Sequence, residues 1–286
     1  MSPDQYCRER LASHASSIHY SLLFSPIERR RVVTALYALR REFDEAVEQA
    51  SDPTVARSKL LWWMQESQRL FEGAPQHPVT RALAPHVSLY GLSLEAFVQA
   101  LQARLHLLEP DPFDNFDALA QYCYLAAAPF DQAAATVFGA AGPDMQTYAR
   151  ELALAVQMIR MVRDAGRHAR RGRIVFPMQD LRDFDVKPED LSSARYVKGF
   201  ELLAKRQADR ARAALRAAAA QLPATQRRAQ VTGLILGTLY EALLDELQRS
   251  EFRVLHQRIA LTPIRKLLIA WRTWALGPPR GGAMAP

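Results

Sequence analysis

Apolar residues recur at helical spacing along most of the chain. Between residues 26 and 49, Leu36, Leu39, Phe43 and Val47 fall on one face of a helix, with charged residues on the other faces. Comparable three- and four-residue spacing continues to about residue 276, and alternating β-strand patterns are weak throughout. The pattern therefore predicts an all-α protein.

Helix start signals place the ends of these elements. Ser25 is predicted to cap the helix that follows it, with Pro26 at its first position and Glu28 three residues after the cap. Turns containing proline or glycine separate it from the other predicted helices. These helices cover residues 4–15, 54–72, 79–88, 92–107, 114–139, 143–168, 194–221, 224–252 and 263–276.

Two stretches fall outside this pattern. Residues 169–186 carry poor helix signals and are predicted to be irregular. Residues 277–286 contain glycine and proline, and we expect a disordered tail there. No repeat and no linker divides the rest, so residues 1–276 are predicted to form a single all-α domain.

Composition agrees with this fold class and narrows the function. Hydrophobic residues make up 49% of the chain, only 12 residues are glycine, and the formal net charge is +7. The basic excess permits nucleic acid, anionic lipid or a polyanionic substrate as partner. No nucleic-acid motif is visible and aromatic residues are not interleaved with the basic run 167–173, so we expect no nucleic-acid partner.

Targeting signals are also absent from the sequence pattern. The first ten residues contain no apolar run typical of a signal peptide, and Cys7 and Cys123 are predicted to be reduced thiols. We therefore expect a cytoplasmic protein.

The last helix, from Pro263 to about residue 276, is amphipathic and carries Trp, Arg and Lys. Such a helix can cap the bundle or contact an anionic membrane surface.

Two acidic clusters, about 120 residues apart, carry the candidate chemistry. Asp44 and Glu48 are four residues apart, as are Asp164 and His168, so each pair shares a helix face. Carboxylates on facing helices can hold Mg²⁺, and Mg²⁺ can bridge to phosphate oxygens. The clusters therefore indicate a diphosphate substrate, although a solvated helix face is the simpler interpretation of either pair alone.

A family resemblance joins these segments in order. It begins at the segment 16–21, continues through Arg41 to Glu48, resumes at the segment 122–124 and at Gln157 to Asp164, and includes Arg171-Gly172-Arg173. Together these segments resemble the squalene/phytoene synthase family over about residues 5–250. The resemblance implies the isoprenoid synthase fold, a single helical bundle around a central cavity. It also implies head-to-head condensation of two prenyl diphosphates with Mg²⁺, a step of isoprenoid biosynthesis.

The resemblance assigns roles position by position. Asp44, Glu48 and Asp164 match metal ligands, and Tyr122 matches an active-site tyrosine. Asp44 and Asp164 are thereby catalytic candidates together with Tyr122. The positions that match diphosphate-binding residues are His19, Arg41, Gln157, Arg160, Arg163 and Arg173.

Two positions of the second cluster depart from the family pattern. Arg160 stands where the family has asparagine, and His168 stands where it has an acid. Arginine has no acceptor atom and cannot bind a metal, and neutral histidine is a poor Mg²⁺ ligand. Two hypotheses remain open. Arg160 could supply positive charge in a working synthase, or the fold could be a non-catalytic lipid-binding or assembly protein, similar to respiratory complex I assembly factors.

Overall fold

The computed structural model describes residues 1–12, 16–50, 52–109 and 113–285. Within these residues all regular structure is helical and no β-strand is present, which confirms the predicted class. Two 3₁₀ turns cover Ala84–His86 and Ala224–Gln226. The α-helices of the described residues are α1 (Pro3–Ala12), α2 (Ser17–Ser21), α3 (Ile27–Glu48), α4 (Pro53–Phe71), α5 (Pro78–Leu83), α6 (Leu94–His106), α7 (Phe116–Val137), α8 (Pro143–Arg163), α9 (Ala165–Ala169), α10 (Met178–Asp183), α11 (Pro188–Ser192), α12 (Phe200–Gln221), α13 (Val231–Arg249) and α14 (Pro263–Leu276).

The long helices α3, α7 and α8 organise the core. Helix α8 packs against α7 and α12, and α3 also packs against α7. Ala127 and Ala128 of α7 lie buried against Ala153 of α8, and these small side chains let the two helices approach closely. The end of α3 that carries Asp44 consequently faces the end of α8 that carries Arg160.

The start of α3 differs by one residue from the prediction. The helix begins at Ile27, and Pro26 rather than Ser25 is its cap residue, with no side-chain capping bond. The Ser25 hydroxyl instead shares a 2.7 Å hydrogen bond with the Thr232 hydroxyl of α13. The Ser25 side chain, which local sequence rules assign to capping α3, therefore makes a long-range contact with α13 instead.

The predicted helix 143–168 is interrupted. Helix α8 ends at Arg163, Asp164 adopts φ −98° and ψ 9°, and the short helix α9 follows. A Cβ on Gly166 would overlap the backbone of Leu255, so glycine allows the segment after α13 to lie against α9. This approach brings Arg258 to Asp164. The region predicted to be irregular, 169–186, also contains helix α10.

The chain beyond α14 contradicts the expected disorder. Met284 is fully buried against Gly237 of α13, and its carbonyl accepts a 3.2 Å hydrogen bond from Arg227. The Ala283 amide also donates to the Glu241 carboxylate. Residues 277–285 are therefore held on α13 by apolar burial and hydrogen bonds that composition alone does not indicate.

Helix α14 caps the bundle, which is one of the two alternatives predicted from the sequence. It packs on α13 and α2, burying Ala270 and Thr273, and Trp274 stacks on Phe24 at 4.9 Å between ring centroids. Its outer face exposes apolar side chains, including Ile264 and Trp271, so membrane contact stays a prediction. Among the described residues, no helix combines the length and the apolar character needed to cross a bilayer.

Candidate active site

Asp44 on α3 is held by two arginines from other helices. Arg104 of α6 donates to its Oδ1 at 2.6 and 3.1 Å, and Arg160 of α8 donates to its Oδ2 at 2.8 Å. Burial alone would raise the pKa of Asp44, but the two guanidiniums outweigh burial and hold that pKa well below its usual range. Asp44 is therefore ionised, with both oxygens engaged by cations.

Asp164 is the centre of a second cluster, at the junction of α8 and α9. Its carboxylate accepts from Arg163 at 2.5 and 3.0 Å and from Arg258 at 3.2 Å, and Arg167 lies 3.2 Å away. These cations overcome burial and hold the pKa of Asp164 well below its usual range. Arg167 also pairs with Glu48 of α3 at 3.0 Å, so it links the two acidic clusters.

Gln157 is positioned by a buried network behind the site. Arg40 of α3 donates to its Oε1 at 2.8 Å and to Asp131 of α7 at 3.0 Å. The Tyr37 hydroxyl donates to the other Asp131 oxygen at 2.6 Å, and Arg160 reaches Gln157 at 3.4 Å. Arg40 and Asp131 are almost completely buried, so this network fixes α3, α7 and α8 relative to one another.

A polar cavity of about 330 Å³ opens between α3, α8 and the segment that carries Arg258. Its wall contains three carboxylates, Asp44, Glu45 and Glu48. Its cationic side chains outnumber these acids by more than two to one. They are Arg40, Arg41, Arg160, Arg163, Arg167, Arg171, Arg258 and Lys266.

A smaller cavity of about 30 Å³ lies deeper, beside Tyr122 of α7. Tyr122 is buried and its ring lies 5.2 Å from that of Phe113, and burial raises the pKa of its phenol. Arg173 also lines this cavity and donates to the Val47 carbonyl at 2.9 Å. The cavity has room for about one water molecule.

His168 lines the same small cavity and is neutral at physiological pH. Burial lowers the pKa of His168 to about 4, and the charge of Asp164 opposes this shift only in part. The backbone amide of His168 donates to the Asp164 carbonyl at 3.0 Å. The ring is therefore a neutral wall of the cavity.

We expect His168→Gln to change how stability depends on pH. The unfolded chain binds a proton on this histidine near pH 6.5, whereas the folded chain binds it near pH 4, so wild-type stability falls as pH decreases between these values. Because His168 as a residue is only partly buried, this loss should be about 1–2 kcal/mol. Urea unfolding of both proteins at pH 7 and pH 4.5 measures the difference. An identical pH dependence of the two proteins would refute the assignment.

The sequence of the chain matches known proteins over nearly its whole length. A family model described as squalene/phytoene synthase matches residues 11–265. The chain belongs to the squalene/phytoene synthase family. Phytoene synthase of Arthrospira platensis is 27% identical over 277 residues, covering 92% of this chain and 90% of the relative. The 15-cis-phytoene synthase of a Synechocystis strain is 26% identical, covering 93% and 84%.

Solved structures of the family share the fold. A dehydrosqualene synthase in complex with ligand superposes with a TM-score of 0.81 at 19% identity, covering 96% of this chain and 95% of the other. A squalene synthase from Alicyclobacillus acidocaldarius gives a TM-score of 0.74 at 24% identity, covering 87% and 94%. The isoprenoid synthase fold predicted from sequence is thus confirmed.

Synthases of this family generally use a divalent metal, yet the acidic residues of this chain do not fit one. Among the described residues, no group of three or more His, Cys, Asp or Glu is placed to hold a metal ion. Asp44 and Asp164 already accept from arginines, and Arg160 lies between the two acidic helices. A divalent ion about 4 Å from its guanidinium would meet roughly 8 kcal/mol of repulsion at an effective dielectric constant of about 20.

The structure gathers most of the predicted family residues around the two cavities. The small cavity is lined by Asp44, Glu48, Tyr122, Gln157, Arg160, Asp164 and Arg173. Arg41 and Arg163 line the larger one. His19 lines neither cavity. It lies on α2 with its ring 5.5 Å from that of Tyr20, and burial lowers its pKa.

Sequence reasoning missed several residues of the site. Arg104 holds Asp44, and its signal was a charge on the apolar face of α6, three residues after Leu101. Asp131 shows a comparable signal, since it is a charge in the apolar helix α7. Arg258 and Lys266 also line the larger cavity, and no local pattern distinguished them from surface residues.

Proposed function

We propose that this chain is a prenyltransferase that joins two prenyl diphosphates head to head. The cavity of about 330 Å³ between α3 and α8 carries this proposal, because eight cationic side chains face it and a diphosphate needs such a wall. Family membership supports the same reaction. The relatives described above are named as synthases, and none of these observations favours a non-catalytic lipid-binding or assembly role.

The cavity provides electrostatic stabilisation for the leaving group. Breaking the allylic C–O bond leaves a carbocation and puts negative charge on the departing diphosphate. Arg160, Arg163 and Arg258 lie where guanidinium groups can donate to its oxygens. The double bond of the second substrate then attacks the carbocation and forms a C–C bond. The departed diphosphate accepts the proton that is lost as the cyclopropane ring of the intermediate closes. The fixed positive charge of the cavity should favour cleavage of the C–O bond most, because charge separation is greatest in that step.

Tyr122 and its surroundings form the inner wall of the proposed site. In this proposal its aromatic face stabilises the carbocation or its hydroxyl positions a proton. The cavity that it lines measures about 30 Å³, and another of about 10 Å³ shares Met161 and Val175 with it. An apolar cavity of about 150 Å³ accommodates only a benzene molecule, so C15 or C20 chains require side chains such as Met161 and Val175 to move. Both residues have apolar side chains that exclude water.

Mg²⁺ bound by Asp44, Glu48 and Asp164 is the specific cofactor that the family resemblance suggests. The arginine partners of these carboxylates weigh against that assignment, and no step of the reaction above passes through a metal. Metal dependence therefore has to be measured together with the reaction.

A product assay tests the proposed function. Purified full-length protein is incubated with radiolabelled farnesyl diphosphate or geranylgeranyl diphosphate, with Mg²⁺ or with EDTA, and extracted for C30 and C40 products. We expect a condensed product from at least one substrate, and we expect Arg163→Gln to lower its rate by 10-fold or more because a charge-assisted hydrogen bond is lost. Folded protein that forms no product from either substrate, with or without metal, would overturn the proposed function.

A further inference from the structure

We propose that the larger cavity binds the diphosphate group through its arginine and lysine side chains alone, without a divalent metal. This inference rests on the proposed function, since it specifies how the substrate headgroup is recognised. The chemical class bound is a diphosphate, either free or attached to a prenyl chain. Four observations on the described residues lead to it.

The balance of charge in the cavity wall is the first observation. The wall holds eight cationic side chains and three carboxylates. Within the described residues, the guanidinium of Arg171 forms no ion pair. A cavity with this excess of positive charge attracts a multivalent anion and disfavours an added cation.

Crowding of the cations is the second observation. Burial lowers the pKa of Lys266, and the charges of Arg163 and Arg258 lower it further. Arg163 and Arg258 also lie close together, because both donate to Oδ1 of Asp164, at 3.0 and 3.2 Å. The cations on this side of the cavity thus repel one another, and a bound anion would relieve that repulsion.

Unsatisfied donors are the third observation. The Nε of Arg167 is buried without a hydrogen-bond partner, and Arg167 lines the larger cavity. The Nη1 of Arg173 is likewise buried and unpartnered, at the wall of the small cavity. Buried N–H groups without acceptors are rare in folded proteins. A phosphate oxygen in the larger cavity would satisfy the Nε of Arg167, whereas the small cavity beside Arg173 has room only for water.

The place taken by Arg160 is the fourth observation. Its guanidinium extends from α8 to Asp44 on α3 at 2.8 Å, and it therefore bridges the two acidic helices. A metal ion bound between those helices would have to occupy this space. Arg160 already provides a positive charge there, with N–H groups that can donate to a phosphate oxygen.

Isothermal titration calorimetry of the full-length protein tests the proposal. Inorganic diphosphate, farnesyl diphosphate and uncharged farnesol are each titrated in EDTA and in Mg²⁺. We expect inorganic diphosphate and farnesyl diphosphate to bind in EDTA with a Kd within about threefold of the value in Mg²⁺. Farnesol should bind at least 10-fold more weakly than farnesyl diphosphate.

Two variants and a matched control locate the binding. Arg160→Asn and Arg258→Gln should each weaken binding of inorganic diphosphate in EDTA by 10-fold or more. Arg253→Gln removes a cation that pairs with Glu251 on the surface and lines neither cavity, so its Kd should be unchanged. Circular dichroism of each variant checks folding, and Arg258 is partly exposed, so its loss should leave the fold intact.

Several results would overturn the proposal. Binding of both diphosphates only when Mg²⁺ is present would show that a metal is required, and a product in the condensation assay would then leave the proposed function standing. Binding of farnesyl diphosphate but not of inorganic diphosphate would show that the site recognises the prenyl chain and not the headgroup. Binding in EDTA with no condensation product would instead support the anion site and overturn the proposed reaction.

Discussion

Replacing Asp44 with asparagine should lower the free energy of unfolding by about 3–5 kcal/mol, because the change leaves a buried arginine without its counter-ion. The side chain of Arg104 is only 2% exposed, and Asp44 accepts both of its hydrogen bonds to a carboxylate. For a chain of this size, the melting temperature should fall by roughly 6–15 °C. Thermal and urea unfolding at pH 7 measure the change.

A double variant separates this explanation from a general packing defect. In Asp44→Asn combined with Arg104→Met, the buried charge of Arg104 is removed and only the partly exposed Arg160 loses its carboxylate partner, so much of the lost stability should return. An apolar side chain also suits the aromatic neighbours of Arg104, Phe43 and Phe130. An unchanged melting temperature in the single variant would contradict the structural role assigned to Asp44.

This expectation changes how an Asp44 variant is interpreted. If Asp44 were a metal ligand alone, its replacement by asparagine would abolish turnover while leaving stability nearly unchanged. In the structure it is also the counter-ion of Arg104 and Arg160, so loss of turnover and loss of stability should occur together. Activity of such a variant is therefore informative only at temperatures where its folded fraction has been measured.

Much of the fold could be predicted because helical periodicity is a local property. Most predicted helices agree with the structure to within a few residues, and the two acidic segments lie on facing elements as expected. The errors occur where contacts between residues far apart in sequence determine the local structure. Ser25 bonds to Thr232 instead of capping α3, and Met284 is buried by α13 although its own segment looks disordered.

The partners of the site residues could not be predicted for a similar reason. A charge on the apolar face of α6 indicates a buried ion pair, but it does not say that Arg104 meets Asp44, sixty positions earlier. Arg258 reaches Asp164 only because Gly166 lets two backbone segments approach closely. Family resemblance identified the acidic positions. Arg104 and Arg258, which help to neutralise them, could be assigned only from the three-dimensional structure.

Replacing Arg40 with methionine should destabilise the fold by about 3–5 kcal/mol at pH 8, and by less at pH 5. Arg40 and Asp131 form an ion pair whose side chains are each 2% exposed. Burial raises the pKa of Asp131 even though Arg40 opposes the shift, so removing Arg40 should raise that pKa further.

The sign of this pH dependence follows from proton binding. Above the ordinary carboxyl pKa the unfolded variant is ionised at position 131, whereas its folded form keeps the proton up to a higher pH. The folded form therefore binds more protons in this window, and stability falls as pH rises towards the folded pKa. In Arg40→Met combined with Asp131→Asn, no charge remains to be buried, so this extra pH dependence should disappear. Urea unfolding at pH 5 and pH 8 measures this pH dependence. An equal loss of stability at both pH values in Arg40→Met would show that protonation of Asp131 does not determine the stability of the variant.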